Sequence, residues 1–187
     1  NMKTYRNLFQ SLCSFDNLLL AFANASRGKS KKHYVQEFES NLSNNIYQLQ
    51  FELLTKTYRP MPLETFIVRD PKTRKISKSE FRDRVVHHAL CNVIAPIFES
   101  RFIHDSFANQ RDKGTSNALK RFDFFVKKVT LNGMLRGGEF NGANNVVGFV
   151  LKCDIRKYFE NVDHQILLNI LRNKIKDVDL LLLIKVI

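Results

Sequence analysis

Acidic residues are scarce in this chain of 187: eighteen Asp and Glu stand against thirty Lys and Arg, for a net charge of +12. A surplus of that size favours a polyanionic partner, nucleic acid before a membrane surface, because basic side chains displace condensed counterions from phosphates. By itself it does not separate an enzyme from a ribosomal or other RNA-binding module. Cysteine is sparse too. Cys13, Cys91 and Cys153 are odd in number and far apart, which excludes a disulfide framework and zinc-type spacing and makes a reducing cytoplasm the default. Long apolar runs are missing: Leu180–Ile187 is interrupted by Lys185 and too short to span a bilayer, so it reads as a core helix cut off mid-pattern. No apolar stretch follows Asn1-Met2-Lys3 as a signal peptide requires. No internal repeat is present. His87 and His88 are adjacent, about 100° apart around a helix, so they form no metal pair; one is expected to pack and the other to be wet. His33 and His104 are equally unpartnered in sequence.

What is present is a core. The chain is 44% apolar with sixteen phenylalanines, enough for one good-sized folded domain or one plus part of another. Ser14 or Asp16 caps a first helix over 14–25, with Leu18, Leu19 and Phe22 as its stripe. Arg27-Gly28-Lys29-Ser30-Lys31-Lys32-His33 is a basic loop, a solvated linker or a phosphate contact. From Tyr34 to about Tyr58, Phe38, Leu42, Ile46, Leu49 and Leu53 recur at helical steps, predicting one long amphipathic helix that Pro60 and Pro62 end. Phe66–Arg69 and Lys75–Ser77 read as hairpin strands joined through Asp70-Pro71. That ribbon and its exit carry Arg69, Lys72, Arg74, Lys75, Lys78, Arg82 and Arg84, either as a solvated face or as forked donors for phosphates. Arg84 to Phe102 reads as a helix kinked or divided at Pro96. The loop Phe107–Thr115 then opens a helix from Ser116 to about Val129, capped by Thr115 or Ser116 and suited to an anion. Gly133, Gly137, Gly138 and Gly142, with Asn141, Asn144 and Asn145, make a flexible loop.

The most informative stretch follows. Val146 to Cys153 has the β-branched, apolar character of a strand buried on both faces. It delivers Asp154 to its end, ahead of Tyr158 and Phe159. Asp163 then stands where an N-cap belongs, before Ile166, Leu167, Ile170, Leu171 and Ile175. A lone Asp after a strand usually caps a turn; a carboxylate there with two aromatics behind it also suits a metal ligand beside a nucleotide pocket. Asp177 and Asp179, the acids that follow, read as a helix-connecting loop.

The string Asp154, Ile155, Arg156, Tyr158, Phe159, Val162, His164 resembles the first catalytic motif of reverse transcriptases. Phe81–Leu90, running on to Ile97-Phe98-Glu99, is similar to the family's fingers block, and Asp105–Thr115 to its next block, with Asp112 where a small residue is usual. The wording is closest to bacterial enzymes of the diversity-generating retroelement and group II intron kind, over roughly residues 14–187. The resemblance implies an α+β, right-hand polymerase fold. Residues 1–62 would be an N-terminal helical extension, 63–145 helical fingers with the basic hairpin, and 146–187 the first part of an antiparallel palm sheet. It implies RNA-directed DNA polymerase activity by two-metal nucleotidyl transfer, with Mg²⁺ held by Asp154 and the Ile155 carbonyl. Arg69, Arg74 and Lys75 would grip the incoming triphosphate. Phe159, or else Tyr158, would lie under the deoxyribose. Arg82, Arg84, Arg111, Lys113 and Gly114 would meet the template. The implied partners are an RNA template, a DNA or RNA primer, a dNTP and an accessory protein of a retroelement, in the cytoplasm. The family's Asp-Asp hairpin is not found, so this stretch alone is expected to be inactive. The alternative is a non-catalytic RNA-binding module of a reverse-transcriptase-like protein.

Overall fold

The computed structural model describes residues 3–110, 112–133 and 148–187. The chain divides into two compact units, residues up to Ile97 together with Val162–Ile187, and Phe98–Asn161.

The first unit holds the core. Its opening helix, α1 (Leu8–Leu12), is short; α2 (Phe15–Ser26) follows, capped by the Ser14 hydroxyl, which accepts from the Asn17 amide. Leu18, Ala21, Phe22 and Ala25 face inward, one stripe of the 3.6-residue period. Leu19, expected on that stripe, lies on the outer side.

The single long helix expected from Tyr34 is two, α3 (His33–Ser40) and α4 (Leu42–Leu54), broken at Asn41. The reason is chemical. Ser40 donates to the Glu37 carbonyl at 2.8 Å, Asn45 to the Phe38 carbonyl at 2.8 Å, and Asn44 to the Asn41 side chain at 2.8 Å. Short polar side chains thus take over backbone groups that a continuous helix would pair. The apolar phase survives the break, with Val35 on α3 and Ile46, Leu49 and Leu53 on α4 buried.

A hairpin follows. β1 (Glu64–Val68) pairs antiparallel with β2 (Arg74–Lys78), Phe66 opposite Ile76 and Ile67 opposite Lys75. The chain returns into α5 (Phe81–Glu99), which starts earlier than expected and runs through Pro96 unbroken. Pro96 stands so near the helix end that its missing amide removes one bond with little helix left to disrupt. Phe22, Phe38 and Phe81 meet where α2, α3 and α5 converge, with ring centroids 5.3–6.1 Å apart, in the offset and edge-on arrangements that aromatic quadrupoles favour. An asparagine ladder sets the register of α2 on α5. Asn17 donates to the Ala89 carbonyl, Asn92 to Asn17, and Asn24 to Asn92.

The last two helices close this unit. α7 (His164–Arg172) is capped by Asp163, whose side chain accepts from the Gln165 and Ile166 amides, as the sequence predicts. Its apolar set is only partly the expected one: Ile175 is buried as expected and Leu168 is buried with it, while Ile166, Leu167 and Ile170 are exposed. No described residue covers that outer face. α8 (Val178–Val186) buries Leu180 and Leu183. Tyr5 is clamped across Ile175 by its amide to the Lys174 carbonyl and the Lys176 amide to its own carbonyl, each 2.8 Å. Cys13 is buried beside this junction, and burial, then Asp177 and Asp179, push its thiol up to about 12.

The second unit contains α6 (Gly114–Val129), which begins at Gly114, ahead of both expected caps, with Lys113 at the N-cap making no side-chain capping bond. None of its residues is buried. The strand expected from Val146 to Cys153 is corrected: residues 148–153 form no ladder, and Phe149 is 96% exposed. A strand exists only where neighbouring backbone accepts and donates, and no described residue does so here. Residues 146 and 147 and most of the glycine-rich loop lie outside the described residues. The only sheet among the described residues is β1–β2, so the architecture is α+β: helices plus one two-stranded antiparallel ribbon.

Candidate nucleotide and nucleic-acid site

Two groups of candidate residues lie in different units. The ribbon belongs to the first. Every residue of β1 and all of β2 but Lys78 are exposed. Side chains alternate along a strand, so the register puts Glu64, Phe66, Val68, Arg74, Ile76 and Lys78 on one face and Thr65, Ile67, Lys75 and Ser77 on the other. Arg74 and Lys75 therefore point oppositely. If the alternation continues one residue past β1, Arg69 joins Lys75. Lys78 pairs with Glu64 at 2.8 Å and lies 5.3 Å over the Tyr34 ring, closing the ribbon at its base.

Beyond the ribbon, the first residues of α5 are heavily engaged. Arg82 is paired with Glu52 of α4 and sits 5.5 Å over the Tyr58 ring. Asp83, fully buried, accepts from the Tyr58 hydroxyl and the Met61 amide, each at 2.8 Å. Burial first, then the bond to Asp83, raises the Tyr58 phenol well above its ordinary range. Arg84 lies 4.6 Å over Tyr34 and 5.1 Å over Phe81, and its hydrogen bond to Tyr34 lowers that phenol. Its Nε is buried with no partner among the described residues. His87 and His88 are both half-buried rather than one packed and one wet, and burial lowers both imidazoles; Lys29 lowers His88 further.

In the second unit Asp154 lies in irregular chain just ahead of the 156–160 turn, exposed, accepting no hydrogen bond from the described residues. Ile155, Tyr158 and Phe159 beside it are also open, Phe159 by 89%, and the two rings meet edge to face at 5.2 Å. The turn is shaped by Lys157 in the left-handed region at φ 52, its 2.8 Å pair with Glu160, and the Asn161 amide on the Lys157 carbonyl at 2.9 Å. Within the Asp105–Thr115 loop, Lys113 is a brace. The Lys113 ammonium donates to the His104 and Ser106 carbonyls at 2.8 and 2.9 Å. Gly114 supplies the φ of +84 that starts α6, a backbone state costly for other residues. Arg111 lies outside the described residues. Sequence reasoning missed Arg121, which binds Asp105 at 2.6 Å and lies over Phe124 and Phe125. Arg121, with His104 after it, holds the Asp105 carboxyl below its usual range.

Mg²⁺ takes oxygen ligands in a near-octahedral shell. The Asp154 carboxylate and Ile155 carbonyl are donors of that kind, but among the described residues no three His, Cys, Asp or Glu side chains converge. The described residues do not by themselves complete a magnesium site.

No family model matches this chain. It is 26% identical to protein YkfC of Escherichia coli K12 over 141 residues, covering 74% of this chain and 34% of that protein. It is 24% identical to the group II intron-encoded protein LtrA of Lactococcus lactis subsp. cremoris over 181 residues, 94% of this chain and 27% of that protein. The chain is a distant relative of a group II intron-encoded protein. It spans about a third or less of the length of these curated relatives. The second match is in line with the motifs' resemblance to reverse transcriptases of the group II intron kind.

Proposed function

We propose that this chain is the fingers and first part of the palm of a right-hand RNA-directed DNA polymerase. In the reaction, a primer 3′-hydroxyl attacks the α-phosphorus of a deoxynucleoside triphosphate and pyrophosphate leaves. The observation that carries this reading is the Asp154–His164 string, whose leading carboxylate stands open to solvent with two exposed aromatics beside it. Asp154 and the Ile155 carbonyl are proposed as two ligands of Mg²⁺, with the others supplied from outside the described residues. Phe159 is the proposed platform under the deoxyribose, with Tyr158 its neighbour. Arg69, Arg74 and Lys75 are the proposed triphosphate cations. Arg84, Arg111, Lys113 and Gly114 are proposed for the template backbone, and Arg82, given its pairing with Glu52, as a buttress to it. Partners are an RNA template, a primer and a retroelement accessory protein, in the cytoplasm.

The test is RNA-templated primer extension by the polymerase proposed to contain this chain. Phe159→Val is expected to admit ribonucleotides that the parent rejects, because the ring would collide with a 2′-hydroxyl. A variant that extends with deoxynucleotides at the parental rate and still rejects ribonucleotides removes Phe159 from the site. The second reading, a non-catalytic RNA-binding module, is favoured by the lack of any carboxylate cluster around Asp154 among the described residues. It predicts template binding without extension.

A further inference from the structure

The ribbon has nothing to lean on. Both of its faces are exposed over nearly its whole length, so where its cations point is decided where its two legs leave the body of the first unit. One leg leaves through Met61, three residues ahead of β1. The other enters α5, and there Asp83 stands five residues beyond β2. Asp83 joins the two: one carboxylate oxygen takes the Met61 amide and the other the Tyr58 hydroxyl, each at 2.8 Å, with Asp83 wholly and Tyr58 almost wholly buried. Outside this pair of bonds Arg82 spans from α5 to Glu52 of α4 across the Tyr58 ring.

Burying a carboxylate is costly unless each oxygen is hydrogen-bonded. An apolar residue at this buried position would carry no such cost. It would also leave the Tyr58 hydroxyl and the Met61 amide without their acceptor. The cost is offset only where the carboxylate fixes something an apolar side chain cannot, and what it fixes is the base of the ribbon.

We propose that Asp83, with Tyr58, is a positioning residue that aims the ribbon cations. This rests on the reading of Arg69, Arg74 and Lys75 as triphosphate ligands. The two-leg staple makes the ribbon an extension of α5. Loosening either bond lets it swing without unfolding the helices beneath.

The test uses the 187-residue chain with dTTP as probe, comparing Asp83→Asn and Tyr58→Phe with Leu49→Ala, a truncation of the buried face of α4. Asp83→Asn keeps the shape but gives up one acceptor; Tyr58→Phe removes a single hydroxyl. Amide exchange at Met61 and along β1–β2 is expected to quicken about tenfold in the first two variants while α2 amides keep their parental rates, as fits a lost bond to a charged acceptor. dTTP affinity is expected to fall about fivefold, by the misdirection of charge-assisted contacts. Leu49→Ala should quicken exchange in core and ribbon alike. Parental ribbon exchange in both staple variants, or acceleration that α2 shares in both as in Leu49→Ala, overturns the proposal. Should Asp83→Asn fail to fold, Tyr58→Phe decides alone. If the parent chain binds no dTTP, the ribbon's assignment to triphosphate fails, and exchange at Met61 and β1–β2 still decides whether Asp83 holds the ribbon's base.

Discussion

Asp177 ties the two ends of the first unit together, and removing its carboxylate should cost more than a surface acid normally does. One oxygen accepts from the Leu180 amide at 3.1 Å, the N-cap bond of α8. The other accepts from the Phe9 amide in α1 at 2.8 Å, across 168 residues of sequence. Loss of an N-cap costs about 1 kcal/mol. Loss of a part-buried bond to a charged acceptor costs about 1.5–3 kcal/mol. The two share one side chain, so they do not simply add, and Asp177→Ala should destabilise this unit by about 2–3 kcal/mol. Asp177→Asn keeps an oxygen for the cap and gives up the second acceptor, so it should cost roughly half as much. Urea titration supplies the total, and amide exchange at Phe9 separates the parts: the Phe9 amide should lose protection in both variants. An Asp177→Ala cost below about 0.5 kcal/mol, the range of ordinary surface substitutions, refutes the reasoning.

Acid should weaken the first unit well above carboxylate pH. His87 and His88 are held below their ordinary imidazole value, chiefly by burial, so the unfolded chain takes up protons first and stability falls as pH drops through about 6.5. In a double His87→Gln, His88→Gln variant the slope between pH 7 and 5 should flatten; an unchanged slope assigns it to other groups. On the ribbon, Lys75 and Arg74 lie on opposite faces; with Arg69 continuing the alternation onto the Lys75 side, Arg69→Gln and Lys75→Gln should weaken dTTP binding together and Arg74→Gln less, and equal losses in calorimetry would contradict that face assignment.

Capping and periodicity were legible wherever a side chain's role is local. Ser14 and Asp163 cap as their positions foretell, and the ribbon forms where its β-branched residues and Asp-Pro turn stand. The α3–α4 break was missed because the apolar period runs through it, while the competing bonds come from Ser40, Asn44 and Asn45, which an apolar template ignores. The strand at 148–153 was overread because apolar character supplies only the faces of a strand; its edges need another backbone. Asp83 left a signal that could have been read. It stands in phase with Val86, Leu90 and Ile97, all buried, and a carboxylate on a core stripe demands partners. Asp154 was singled out by its motif alone. The exposure of its carboxylate, just ahead of the 156–160 turn, is a fact of the structure alone.

In the proposed polymerase, Asp154 is the carboxylate that serves nucleotide addition. The most direct measurement is single-turnover primer extension on an RNA template by the polymerase proposed to contain this chain and by its Asp154→Asn variant, with template affinity measured alongside. The account predicts extension reduced at least about a thousandfold, the scale on which one essential electrostatic group acts, with template affinity within about twofold, since the change removes no phosphate-binding cation. Extension at the parental rate by Asp154→Asn contradicts it.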